Sequence, residues 1–291
     1  MRCGSGSHEV CQPDVPEYAR RVTQVAEAAA DDQAGARSRL AQLLDRAAAG
    51  EFPPPDGSVE ILAQPTERDA GVIGLTAFAV VFADTDPDWV AAQLPADDLG
   101  APLSARFLHE LGLRLGRQTG SIDMLTCATP LPGAPPGELM LAEIDPARSG
   151  PPPDEPSAAA RAGGGPTPAA PTATAPTATA PTPTARHARI ARALHYRDDV
   201  RAWQTAGGVI VLGRGVAGRW ETAIEVDPQC RGAGLGRQLA SAARHLVPEG
   251  EPVWAQIAPG NAASVRAFLR AGFRPVGAEV LLTPPGSHTA A

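Results

Sequence analysis

Between residues 149 and 185 the sequence is almost wholly proline, alanine, threonine and glycine, and it repeats the phrase Ala-Pro-Thr-Ala-Thr. A stretch with hardly any large apolar side chains cannot offset the conformational entropy lost on ordering. It is expected to be an extended, disordered tether. Use as a ligand for a proline-reading module would need flanking specificity residues, which it lacks. With 291 residues in all, enough chain remains on both sides for two cores. The expected organisation is a disordered N-terminus at 1–14, an N-terminal α/β lobe at 15–148, the tether at 149–185, a C-terminal domain at 186–284 and a disordered tail at 285–291.

Charge and cysteine usage narrow the function classes. A formal net charge of -7 argues against a nucleic-acid partner, which requires clustered Lys and Arg to neutralise phosphate. Cys3, Cys11, Cys127 and Cys230 show none of the short spacings of a zinc site, so no metal is expected and a reducing cytoplasm fits. The most apolar stretch, residues 71–83, is well short of the roughly 20 residues a membrane-spanning helix needs. No signal core is visible in residues 1–7. A protein with no membrane partner is expected, of undetermined oligomeric state.

In the N-terminal lobe, Leu40, Leu43 and Leu44 stand at helical spacing, and Pro53-Pro54-Pro55-Asp56-Gly57 stops the helix. Strands are predicted at 59–62, 72–82, 122–127 and 139–144, with helices at 89–91 and 104–117. Beyond the tether, a helix at 187–197 precedes strands at 200–205 and 209–212 joined by the turn Ala206-Gly207-Gly208. A strand at 220–226 is closed by Pro228. A helix at 234–247 follows, then a strand at 253–257, a helix opened by Asn261 as N-cap, and a last strand at 273–282. The class is α/β with a mixed sheet.

The chemistry sits where the strand at 220–226 gives way to a helix. Arg231-Gly232-Ala233-Gly234-Leu235-Gly236 lies between them, and Arg237 is on the first helical turn. Backbone N–H groups at such a helix start converge on an anion, and glycine lets the anion come close. Two commoner phosphate loops are excluded. A Walker loop ends in Gly-Lys-Ser/Thr, whereas this one continues Gly236-Arg237-Gln238; the dinucleotide fingerprint needs a third glycine at Arg237 or Leu239.

The pattern V-x-P-x-x-R-G-x-G-L-G-R-x-L from Val226 to Leu239 closely resembles the acetyl-CoA motif of the GNAT superfamily of N-acetyltransferases. A second stretch, Asn261-Ala-Ala-Ser264 followed by Gly272-Phe273, is similar to that family's other signature. The resemblance covers about residues 186–283. It implies a GNAT-like acyl-CoA-binding fold whose sheet splays between the strands at 220–226 and 253–257, with acetyl-CoA as cosubstrate. It further implies that the backbone from Glu225 through Val226 to Pro228 pairs with the pantetheine, that the amides of Arg231, Gly232, Ala233, Gly234, Leu235, Gly236 and Arg237 hold the pyrophosphate, and that Asn261 and Ser264 lie near the coenzyme. Family members begin with a further strand, for which 139–145 is the candidate; the N-terminal lobe is then a degenerate half-copy of the fold or an unrelated lobe.

The implied reaction moves an acetyl group to a primary amine of a small molecule or protein, and the rival reading is a non-catalytic acyl-CoA sensor or interaction module. Glu221 and Glu225 are the carboxylates nearest the expected cleft, and each is either a catalytic base or a salt-bridge partner of Arg219 or Arg201. Where the family often places a proton-donating tyrosine, this chain has Phe268. Tyr196, Cys230, His195 and His245 are alternative reactive groups, each with a plain structural explanation.

Overall fold

The computed structural model describes residues 23–24, 29–95, 98–149 and 188–285. The expected tether and tails lie outside the described residues except at their borders. The described residues form two compact units: those up to Ile122 with those from Gly277 onward, and those from Asp123 to Val276.

The first unit contains β1 (Thr23–Gln24), α1 (Ala29–Ala49), β2 (Val59–Leu62), β3 (Ala70–Leu75), β4 (Phe78–Phe82), α2 (Pro87–Gln93), α3 (Ala105–Leu115) and β5 (Gln118–Thr119). Helix α1 buries Leu40, Leu43 and Leu44, as their spacing predicts. Asp86 caps α2 by accepting from the Asp88 amide, and Ser104 caps α3 by accepting from the Phe107 amide. The single strand expected at 72–82 is a hairpin. Its turn passes through Ala77 at φ 48°, a left-handed residue without the Asn-Gly or Gly-Gly pair that marks such turns in sequence.

The second unit contains β6 (Asp123–Ala128), β7 (Ala142–Ile144), α4 (Pro146–Ser149), α5 (Ala188–Tyr196), β8 (Asp198–Thr205), β9 (Gly208–Arg214), β10 (Trp220–Val226), α6 (Leu235–Leu246), β11 (Val253–Ile257) and α7 (Ala262–Arg270). Its strands run in the order β6-β11-β10-β9-β8-β7. All neighbours are antiparallel except β10 and β11, so the sheet is mixed. One core joins Trp220, Ile210 and Leu212 to the buried stripe Leu239, Ala240, Ala242 and Ala243 of α6 and to Phe268 of α7. Ile190 and Ala193 of α5 form another with Ala202, Val209 and Val211. Alternation along the strands assigns the two sets to opposite faces.

The last strand of the described residues, β12 (Arg274–Thr283), begins in the second unit, but from Gly277 onward it pairs antiparallel with β3 of the first. β6, expected in the N-terminal lobe, pairs along its length with β11. β7 pairs antiparallel with β8. Periodicity identifies a strand and its buried face but carries no record of which sheet edge receives it. No helix among the described residues is long and apolar enough to cross a membrane.

Candidate functional site

β10 and β11 are parallel neighbours, yet they pair only at Trp220 with Val253 and Glu221 with Trp254. Beyond that point their outer edges stay engaged: β10 pairs with β9 through Val226, and β11 with β6 through Ile257. The strands therefore part from Thr222 and Ala255 onward, leaving facing edges outside the ladder. Backbone groups at such an edge can pair with an extended ligand.

The loop leaving β10 opens beside this gap. Pro228 starts a short 3-10 turn to Cys230, and the Arg231 guanidinium folds back so that Nε donates to the Val226 carbonyl at 3.2 Å. Asp227 N–H donates to the Gly207 carbonyl at 2.9 Å, which fastens the loop to the β8–β9 turn. Gly232 and Gly234 take φ of 85° and 89°, the left-handed region that other residues enter at a cost. Gly234 is the N-cap of α6, and no side chain caps that end. Among the described residues, the amides of 232–236 make no hydrogen bond. Helix α6 thus begins with several unengaged donors and the positive end of its dipole, a site suited to an anion. Gly236 serves packing instead. A Cβ there would lie 3.7 Å from Ala267 Cβ and Val226 Cγ2, so this residue lies where α6 packs closely on β10 and α7.

Asn261 is the N-cap of α7, its Oδ1 accepting from the Ser264 amide at 3.1 Å. That side-chain oxygen is thereby engaged, while the Ser264 side chain remains partly exposed.

The two glutamates of β10 have opposite surroundings. Glu221 is buried, and its carboxylate accepts from Arg219 Nε at 2.9 Å, Arg197 Nε at 3.0 Å, and both the Val216 amide and Gln256 Nε2 at 3.3 Å. Gly215 makes room for it, since a Cβ there would strike the carboxylate. Burial pushes its pKa up, but the charges and hydrogen bonds of Arg219 and Arg197 outweigh burial and hold it below the ordinary value. A carboxylate held this way is a poor proton acceptor, which favours the ion-pair role expected with Arg219. Arg201, the other expected partner, pairs instead with Glu143 at 3.0 Å; Arg197 takes its place. Glu225 is half-buried, stands in the parted stretch of β10, and makes no side-chain hydrogen bond or ion pair among the described residues.

The family described as FR47-like protein, which is GNAT-related, matches residues 221–281. That stretch runs from the parting strand through the glycine loop and α7 into β12. Residues 221–281 are thus similar to a GNAT-related family. A GCN5-related N-acetyltransferase from Kribbella flavida is similar in structure at 18% identity, with a TM-score of 0.34; the match covers 62% of this chain and 65% of that one. None of the curated proteins matches the sequence.

Within the second unit, the other candidate reactive groups are engaged elsewhere. Phe268 is buried and meets Phe273 edge to face at 4.9 Å, as a core residue. Tyr196 is partly exposed at the end of α5, under the Arg192 guanidinium at 5.2 Å. His245 Nδ1 lies 3.1 Å from the Pro132 carbonyl and 3.2 Å from that of Gly133, contacts that make it the protonated nitrogen. Cys230 packs over the β8–β9 turn, where a Cβ on Gly207 would collide with it. Among the described residues no cluster of His, Cys, Asp and Glu has the makeup to hold a metal. Sequence patterns did not point to Arg197 and Gln256 on Glu221, because spacing in the chain does not encode contacts across 24 and 35 residues.

Proposed function

We propose that the chain is an N-acetyltransferase that moves an acetyl group from acetyl-CoA to a primary amine of a small molecule or a protein. The observation that carries this is the parting of β10 from β11 beside the unengaged amides of 232–236. A pantetheine arm with amide groups suits the edge of β10 from Thr222 to Val226, and the pyrophosphate suits the start of α6, with Arg237 on its first turn. The thioester supplies an activated acyl group. The amine nitrogen bonds to the acyl carbon, the C–S bond breaks, and the sulfur departs with the electron pair.

In this reading Glu225 receives the proton that the amine sheds, because it is the β10 carboxylate without an ion-pair partner among the described residues. Glu221 fixes the vertex where the strands part. Phe268 cannot donate a proton to the departing sulfur, so water or the protonated acceptor site does so. That same phenylalanine favours the second reading, a non-catalytic acyl-CoA-binding module.

Calorimetric titration with acetyl-CoA, followed by an assay of thiol release against a broad panel of amines, tests both. Saturable binding with amine-dependent release is expected. Binding without release across the panel would select the non-catalytic module, and absence of binding would reject both.

A further inference from the structure

The Pro/Ala/Thr segment leaves and re-enters the same unit. β7 and α4 precede it, and α5 and β8 follow it. β7 pairs with β8, and α4 lies against α5. The segment's two ends therefore meet, and it does not connect one compact unit to the other. In the second unit, β11, β10, β9 and β8 all come after the segment, whereas the strands that flank them on either side, β6 and β7, both come before it.

Residues 123–149 thus form a clasp. β6 runs antiparallel to β11, from Met124 beside Ile257 to Ala128 beside Val253, and Thr126 Oγ1 donates to the Ala255 carbonyl at 2.9 Å. It is the ladder partner that β11 keeps where β10 has parted from it. The chain then crosses the end of α6. Leu131 N–H donates to the Arg244 carbonyl at 2.8 Å, Arg244 Nε donates to the Thr129 carbonyl at 2.9 Å, and His245 Nδ1 lies 3.1 Å from the Pro132 carbonyl. Leu139, in the 3-10 turn Gly137–Leu139, is buried in the core that holds Trp203 and Phe268, and the Thr205 hydroxyl donates to its carbonyl. β7 closes the other side, with Ala142 opposite Gln204 and Ile144 opposite Ala202. Ile144 also packs on the core of Ile190 and Val209.

A core divided between two pieces of chain has the makeup of an obligate protein–protein interface. Its apolar burial and ladder bonds do not require a continuous backbone; continuity adds only effective concentration. Without the clasp, β8 and β11 would each present an open edge, which invites pairing with other chains. We infer that residues 123–149 and 188–276 are obligate non-covalent partners, so that a chain cut within the Pro/Ala/Thr segment stays one folded molecule. The residues after the segment are then not a domain in their own right. This association is independent of the ligand that the parted strands receive.

The test places a site-specific protease sequence within residues 160–180 of the full chain and cuts it there. The two pieces should elute together at about 1 μM and melt in one cooperative transition. Two substitutions probe the interface at a urea concentration that separates half of the cut wild-type protein. Leu139→Ala should raise the dissociation constant of the pieces about 30-fold or more. Thr205→Val, which removes only a hydroxyl, should raise it about threefold or more. Pieces that elute apart, or a dissociation constant that neither substitution moves, would overturn the clasp.

Discussion

At the scale of single residues, Glu221 and Glu225 show how two like side chains on one strand diverge through their neighbours. Removing the Glu221 charge while keeping its shape leaves Arg197 and Arg219 buried, with side-chain exposures of 10% and 4%, and no anion between them. Glu221→Gln should destabilise the protein by about 3–5 kcal/mol, the loss seen when one partner of a buried pair is removed. The pH dependence follows from the depressed carboxyl. Its stabilising contribution is complete above the ordinary glutamate value of 4.5 and is lost as pH falls through the lower folded-state value. Urea midpoints measured across the acid range should thus fall more steeply in wild type than in Glu221→Gln. Glu225→Gln has a different expected signature. With no ion pair to break, it should leave the melting temperature and acetyl-CoA affinity near wild type while lowering kcat by about 10²–10⁴, the usual range for a general base. A kcat unchanged by this substitution would remove Glu225 from the mechanism.

At the scale of elements, the glycines of the loop and of α6 separate binding from folding. Gly234 is open to space on the side where its Cβ would stand but sits at φ 89°, whereas Gly236 has ordinary helical geometry and a packed environment. Gly234→Val adds strain of about 1–2 kcal/mol and places a branched side chain at the mouth of the unengaged amides. It should fold and fail to bind acetyl-CoA. Gly236→Ala points its methyl at Ala267 and Val226, away from those amides, and should retain both fold and binding. Calorimetry with a thermal melt on each variant distinguishes the two, and equal binding by both would remove the amides of 232–236 from the site. These elements were legible in the sequence because local chemistry determines them. Pro228 ends β10, glycines permit the left-handed turn, Asn261 caps α7, and the apolar stripe of α6 points at the sheet. The hairpin turn at Ala77 was not legible, because alanine in a left-handed conformation is imposed by the strands it joins.

At the scale of the whole molecule, chain order and sheet membership disagree. The sequence divides most visibly at the tether, yet the compact units divide at Ile122 and again at Val276. Composition reports where a chain cannot fold; it says nothing about which strands share a sheet, since that depends on edges formed far away in sequence. The strand that completes the first unit follows every other described element in the sequence. Val280 and Leu282 of β12 are fully buried in the core that holds Val72, Val81 and Leu111, and Arg117 Nη1 donates to the Leu282 carbonyl at 3.1 Å. A chain ending at Val276 keeps the glycine loop, α6 and α7 but loses this strand. β3 then keeps β4 as its antiparallel partner, but its other edge is unpaired from Ala70 to Leu75, and burial worth about 1.5–3 kcal/mol for each large apolar side chain is removed. Hydrogen exchange should show the amides of β3 losing protection in the truncated chain. The amides of α3 should follow, since Phe107, Leu108 and Leu111 share that core. Protection of β3 equal to that in the full chain would mean that the first unit is stable without its last strand. The pairing from Gly277 to Leu282 would then contribute little to folding.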